Sequence, residues 1–115
     1  MSSISRSELA YRIGEDTEAV KNMFVNKNQD FGKDGEAFAN FRKTAERILI
    51  PFVERCGGKC DIYDAMFTVA QVYIDKHAVA LSHTGVSGKE AKDRLIDIAV
   101  YSMICKAMIE EGEER

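Results

Sequence analysis

The chain has 115 residues, a length that predicts one domain over residues 1–115 with a single hydrophobic core. Its composition, with 45% hydrophobic and 30% charged residues, is that of an ordinary folded domain and argues against a disordered chain. The net charge of −3 at pH 7 gives no overall attraction to nucleic acid or to an anionic membrane.

Cysteine usage and the polar start MSSISRSE predict a cytoplasmic protein with free thiols. Cys56, Cys60 and Cys105 are odd in number, and no second Cys or His pair follows CGGKC at the spacing of a zinc site, so this motif favours a glycine turn. The longest uncharged stretch is far too short to span a membrane, so no membrane partner is expected.

The first predicted helix covers residues 1–15. Ser5 and Glu8 have the spacing of a capping box, and Leu9 and Ile13 follow one helical turn apart. Gly14 is expected to break or end this helix, because glycine disfavours a helix interior.

A second helix from Thr17 would make residues 5–24 a candidate helix-turn-helix, with Gly14 in the turn. The would-be recognition helix begins Glu15-Asp16-Thr17-Glu18, and those carboxylates would face phosphates. A DNA-binding regulator is therefore the weakest functional alternative, and a helix pair that packs on the bundle is favoured.

Three further helices are predicted, the first of them beginning inside the glycine-containing stretch NQDFGKDGEAFANF. The third is predicted from Glu36, with a kink or an end near Leu49 because Pro51 lacks an amide hydrogen. Asp61 opens the fourth, whose apolar residues follow helical rather than strand spacing. Ser87 and Glu90 form a second capping-box pattern before the last helix, and residues 109–115 are expected to be a frayed acidic tail.

Together these elements predict an all-α fold, a compact bundle of four to five helices. The last helix is apolar on more than one side, with Ile96, Ile98, Val100 and Met103 within two turns. A monomer of this size buries only one side of a helix, so we predict a homo-oligomer, a dimer or higher.

Four short motifs follow one another over residues 19–108. They are Lys27 four residues before Phe31-Gly32, then Asn40-Phe41, then Asp64-Ala65-Met66, and finally Asp97-Ile98-Ala99-Val100-Tyr101. In this order they resemble a group of small phage-encoded domains of unassigned function that are associated with nucleotide metabolism and modification. That group is distantly similar to the MazG-like all-α nucleotide pyrophosphohydrolases.

The resemblance implies a phage-type protein in the host cytoplasm that binds a nucleotide, a cyclic nucleotide or a nucleotide-derived signal. The pyrophosphohydrolases hold Mg²⁺ with Glu-x-x-Glu and Glu-x-x-Asp motifs. In this chain Arg94 stands three residues before Asp97, where a metal-binding glutamate would stand, and the earlier motif is at best Asp61-Ile62-Tyr63-Asp64. The phage group also carries a lysine and an arginine where this chain has Tyr73 and Lys76. Hydrolysis is thus unsupported, catalytic residues are unidentified, and whether the protein is an enzyme stays open.

A nucleotide needs cations or Mg²⁺ at its phosphates, a flat surface for its base and polar contacts at the base edge. The candidate ligand-binding residues are Lys27, Phe31, Asn40, Tyr73, Lys76 and Tyr101. If the protein uses Mg²⁺, the candidate ligands are Asp61, Asp64 and Asp97. Lys33 and Arg42 are further candidate phosphate donors, and Asp93 is a further candidate Mg²⁺ ligand.

Each of these candidates also has a structural interpretation. DFGKDG is typical of a helix–helix turn, and Asp61 is typical of a helix N-cap. Asp97 lies among apolar residues and needs a cation or a metal as partner, which fits a buried ion pair as well as a site. His77 and His83 are predicted to lie at the surface. The functional alternative to nucleotide binding is a non-enzymatic counter-defence protein that inhibits a host protein by covering its surface.

Overall fold

A computed structural model describes the backbone of residues 3–30 and 37–114, and the side chains of residues 3–26 and 37–114. The helices are α1 (Arg6–Asp30), α2 (Ala39–Thr44), a π turn (Ala45–Leu49), α3 (Ile50–Arg55), α4 (Ile62–Thr84) and α5 (Gly88–Glu113). Since α2, the π turn and α3 follow one another without a break, they form one rod, which we call the α2 rod. The described residues therefore make four helical rods and no strand, which confirms the predicted all-α bundle.

Helix α1 begins as predicted but does not end at Gly14. The Ser5 hydroxyl accepts the Glu8 N–H at 3.1 Å, and the Glu8 carboxylate pairs with Arg12 at 3.1 Å. The helix then continues to Asp30, so the prediction of a helix over residues 1–15 is wrong. An interior glycine costs only about 1 kcal/mol, which the hydrogen bonds of the turns on either side outweigh.

The helix-turn-helix alternative fails for the same reason. It requires a turn at Gly14 and two helices that cross there. Because Arg6–Asp30 is one uninterrupted helix, no recognition helix is separated from a first helix.

The disruption predicted near Leu49 is present as a π turn rather than as a helix end. Pro51 cannot donate to the carbonyl four residues earlier, and its ring would crowd that carbonyl in a regular α-helix. The backbone widens over Ala45–Leu49 and resumes α geometry at Ile50. Gly57 then closes α3 with a φ of 85°, a left-handed conformation that suits glycine.

Helices α4 and α5 form an antiparallel hairpin, and their contact is the most extensive one between helices of the described residues. The Asp61 carboxylate caps α4 by accepting the Tyr63 N–H at 2.9 Å, as its N-cap interpretation predicts. Ser87 occupies the N-cap of α5 but makes no side-chain hydrogen bond there, so the second capping box does not form.

Helix α5 continues to Glu113. The prediction of a frayed tail is therefore wrong for residues 109–113, and Arg115 lies outside the described residues. Gly112 packs directly on Tyr63, and a Cβ at this position would lie 3.3 Å from the Tyr63 ring. The missing side chain therefore lets the last turns of α5 pack against the first turn of α4.

The core lies where the α2 rod crosses the α4–α5 hairpin. Its buried residues are Phe38, Phe41, Ala45, Ala65, Met66, Val69, Ala70, Cys105 and Met108. The alanines allow close helix approach, and Met66 and Met108 are the largest fully buried side chains among the described residues. Within residues 3–30 and 37–114, no helix has the length and apolar character needed to cross a bilayer.

Burial predicts different reactivity for the free thiols. Desolvation raises the pKa of the Cys105 thiol, although the Gln71 amide donates to its sulfur at 3.7 Å. Cys56 is exposed. We therefore expect a thiol reagent at pH 8 to modify Cys56 in the folded protein and Cys105 only after unfolding. Mass spectrometry of the time course checks this, with Cys56→Ser as control; Cys105 reacting as fast as Cys56 would contradict it.

Candidate functional site

An aromatic cluster lies at the middle of the α4–α5 hairpin. The rings of Tyr73 on α4 and Tyr101 on α5 stack with centroids 5.5 Å apart and planes 9° apart. Phe41 of α2 meets both rings edge-on, at 6.0 Å and 6.2 Å. These geometries are the favoured ones for aromatic pairs, so the cluster holds three helices in register.

A polar group adjoins this cluster at Tyr101. The imidazole of His77 lies 6.1 Å from the Tyr101 ring, with 29° between the planes. Arg94 donates to His77 Nδ1 at 3.2 Å, and His77 Nε2 lies 3.7 Å from an Asp97 carboxylate oxygen. A second guanidinium nitrogen of Arg94 pairs with Glu90 at 3.1 Å. We call Tyr73, His77, Arg94, Asp97 and Tyr101 the hairpin cluster.

The arrangement selects one tautomer of His77. A guanidinium has only donors, so Nδ1 must accept from Arg94 and carry no proton. In the neutral ring the proton then lies on Nε2, on the side of Asp97. His77 is 8% exposed, and these contacts give its polar ring partners inside the hairpin.

The structure brings together three of the predicted site residues, namely Tyr73, Tyr101 and Asp97. They are up to 28 residues apart in the chain and meet because α4 and α5 run antiparallel. Asn40 and Lys76 are both exposed on the described surface. The side chain of Lys27 and the whole of Phe31 lie outside the described residues.

The predicted Mg²⁺ ligands do not converge. Asp61 and Asp64 lie at the start of α4, whereas Asp97 lies beside His77, 13 residues further along α4 than Asp64. At 1.5 Å per residue this separation is about 20 Å. Oxygens that share a Mg²⁺ ion lie about 2.1 Å from it, so these three carboxylates do not fit one ion. No group of three His, Cys, Asp or Glu side chains in the described part of the chain is placed to hold a metal.

Asp61 and Asp64 instead border a groove of about 530 Å³ between the start of α4 and the end of α5. Phe67, Met108 and Ile109 supply its apolar wall, and Glu113 adds a third carboxylate. The carboxylates would repel a phosphate, so this groove does not suit the phosphate end of a nucleotide.

Sequence analysis missed two residues of the hairpin cluster. His77 was predicted at the surface and is buried, and Arg94, which was not among the proposed site residues, bonds to it. The available signal was helical spacing, since His77 follows Ala70 and Tyr73 on one face of α4. The partner on α5 became visible only with the pairing of the two helices.

Comparison of the chain with protein-family models, curated protein sequences and solved structures found no significant match.

Proposed function

We propose that the protein binds a nucleotide or a nucleotide-derived signal at the hairpin cluster, without requiring hydrolysis. The observation that carries the proposal is the stack of Tyr73 on Tyr101 in line with the His77–Arg94–Asp97 group. An aromatic ring can stack on a base and a guanidinium can bind a phosphate, and here Arg94 lies two helical turns before Tyr101 on α5.

The base would stack on the outer surface of Tyr73. Tyr73 and Tyr101 are already in contact, so a base does not fit between them. Tyr73 is 39% exposed, so part of its ring is in contact with solvent. The Arg94 side chain is partly buried and pairs with Glu90, so a phosphate would exchange places with the Glu90 carboxylate.

Two features support binding rather than cleavage. The carboxylates that would have to share Mg²⁺ are about 20 Å apart along α4. Arg94, at the position where the resemblance expects a metal-binding glutamate, is bonded to His77 and Glu90. The site therefore favours sequestering a ligand over hydrolysing it.

A matched pair of tyrosine variants tests the site. The wild type is first screened by thermal shift with nucleotides and cyclic dinucleotides, with and without Mg²⁺; a ligand at about 100 times its Kd adds roughly 2.7 kcal/mol. Stacking of one base on an aromatic ring contributes about 1–3 kcal/mol, so Tyr73→Leu should raise the Kd of the ligand found by roughly 5- to 150-fold in calorimetry.

Tyr11→Leu on the exposed part of α1 is the control and should leave Kd unchanged. Circular dichroism establishes that both variants are folded. An unchanged Kd in Tyr73→Leu would remove the hairpin cluster as the site, and no stabilisation by any nucleotide would remove the proposal.

A second candidate function is protein binding, as an inhibitory or counter-defence factor. The observation that favours it is the set of large apolar side chains on the outer faces of the hairpin. They include Val72, Val79, Leu95, Met103 and Ile109. A folded protein that gives no nucleotide response would shift the weight to this candidate.

A further inference from the structure

The groove between the start of α4 and the end of α5 has the size of a small-molecule site. Its volume of about 530 Å³ lies within the range of about 300–1,000 Å³ that is usual for such sites. Phe67 and Ile109 are 38% and 53% exposed on its apolar wall. The groove is lined by eight residues, whereas each partner in a protein interface contributes roughly 20–30. A small organic ligand therefore fits this groove better than a protein surface does.

The apolar and acidic groups of the groove are ordered along the hairpin. On α4, Asp64 lies three residues before Phe67, and on α5, Ile109 lies four residues before Glu113. Because the two helices are antiparallel, both carboxylates lie nearer to the end of the hairpin and both apolar side chains lie nearer to its middle. At 1.5 Å per residue, the carboxylates are about 4.5–6 Å from the apolar pair along the helix axes. A ligand that contacts both groups has an apolar body with a polar end at about this distance.

The charges of the groove require that this polar end be a cation. Asp61, Asp64 and Glu113 are exposed at its border, and in the part of the chain that the structure describes neither Asp64 nor Glu113 forms an ion pair. Arg42, on the neighbouring α2, is paired with Glu111 at 3.7 Å. The partial charges of the start of α4 and the end of α5 have opposite signs and roughly cancel, so the carboxylates make the groove negative.

We infer that this groove binds a small organic cation, an ammonium group carried on an aromatic or aliphatic body. The body packs against Phe67 and Ile109, and the ammonium group donates to the carboxylates of Asp64 and Glu113. The inference goes beyond the proposed nucleotide site and is independent of it, since Asp64 precedes His77 of the hairpin cluster by 13 residues, about 20 Å along α4.

Titration of the nitrogen-15-labelled protein with 2-phenylethylamine, followed by NMR at neutral pH, tests the inference. This probe carries a positive charge one short linker away from an aromatic ring. We expect the amide signals of residues lining the groove to shift with a Kd of about 1 mM or tighter, a usual strength for so small a ligand. The neutral isostere 2-phenylethanol should bind at least about 10-fold more weakly, because it forms no charged hydrogen bond.

Variants of the groove separate the two halves of the site. Asp64→Asn/Glu113→Gln should raise the Kd of the amine at least about 10-fold and leave that of the alcohol unchanged. Ile109→Ser should weaken both ligands alike, because it removes apolar contact. The control Asp75→Asn/Glu54→Gln makes the same change in net charge at exposed positions outside the groove and should leave both Kd values unchanged. Circular dichroism establishes that each variant is folded.

Several results would overturn the inference. They are no binding of the amine at about 10 mM, ten times the weakest Kd expected, equal binding of the amine and the alcohol, and signal shifts that lie away from the groove. Sedimentation velocity provides a further check. A wild-type dimer that becomes a monomer in Asp64→Asn/Glu113→Gln would show that a second copy of the chain occupies the groove, and would also overturn the inference.

Discussion

Replacing Met66 with alanine is expected to lower the free energy of unfolding by about 2–5 kcal/mol. The Met66 side chain is fully buried in the core where the α2 rod crosses the hairpin. Its removal leaves a cavity that Ala65 and Ala70 of the same core cannot fill, because their side chains are single methyl groups. Because natural domains are stable by only about 5–15 kcal/mol, urea unfolding should show a large fall in the midpoint.

Met103→Ala is the control for this prediction, because Met103 is 56% exposed on α5. It removes the same atoms from a site in contact with water and should change the free energy of unfolding by no more than about 0.5 kcal/mol. Equal losses in the two variants would show that the core does not lie around Met66.

The second large effect is expected at His77. His77→Leu replaces the imidazole by an apolar side chain of similar size and removes one acceptor of Arg94 and the ring that lies beside Asp97. Arg94 keeps its pair with Glu90, but a hydrogen bond to a charged group contributes about 1.5–3 kcal/mol, so we expect the free energy of unfolding to fall by about 1–3 kcal/mol. The loss should appear in urea or thermal unfolding, and Arg94→Gln in the His77→Leu background should cost less than it does alone, because the two residues act through one contact.

His83→Leu provides the comparison, since His83 lies exposed in the last turn of the same helix. We expect the free energy of unfolding of His83→Leu to differ from that of the wild type by no more than about 0.5 kcal/mol. If both histidine variants were equally stable, the hairpin cluster would not contribute to the fold, and its proposed role in holding a ligand would lose its rigid support.

Sequence signals predicted a structural feature correctly where the feature depends on side chains of the same short segment. The Ser5 cap, the Asp61 cap and the disruption before Pro51 are each explained by side chains within five residues of the feature. The Gly14 prediction failed because the propensity of one residue was weighed without the hydrogen bonds of the turns around it. The frayed tail failed because the contact between Gly112 and Tyr63 joins residues 49 positions apart.

The candidate site was only partly predictable for a related reason. Tyr73, Tyr101 and Asp97 were proposed from residue type and from a resemblance, and they do meet. Asp61 and Asp64 were proposed with them, yet they lie at the opposite end of α4 from His83 and far from Asp97. The spacing of acidic residues within a helix carries no information about which level of a neighbouring helix they will face.

The sequence by itself determined that this chain is helical, where most helices begin, and which faces are apolar, because periodicity and capping act over a few residues. The antiparallel pairing of α4 with α5 decided the rest. It placed His77 beside both Arg94 and Asp97 and stacked Tyr73 on Tyr101. Those outcomes depend on which helix surfaces meet and at what level, and that is set by the packing of the whole core.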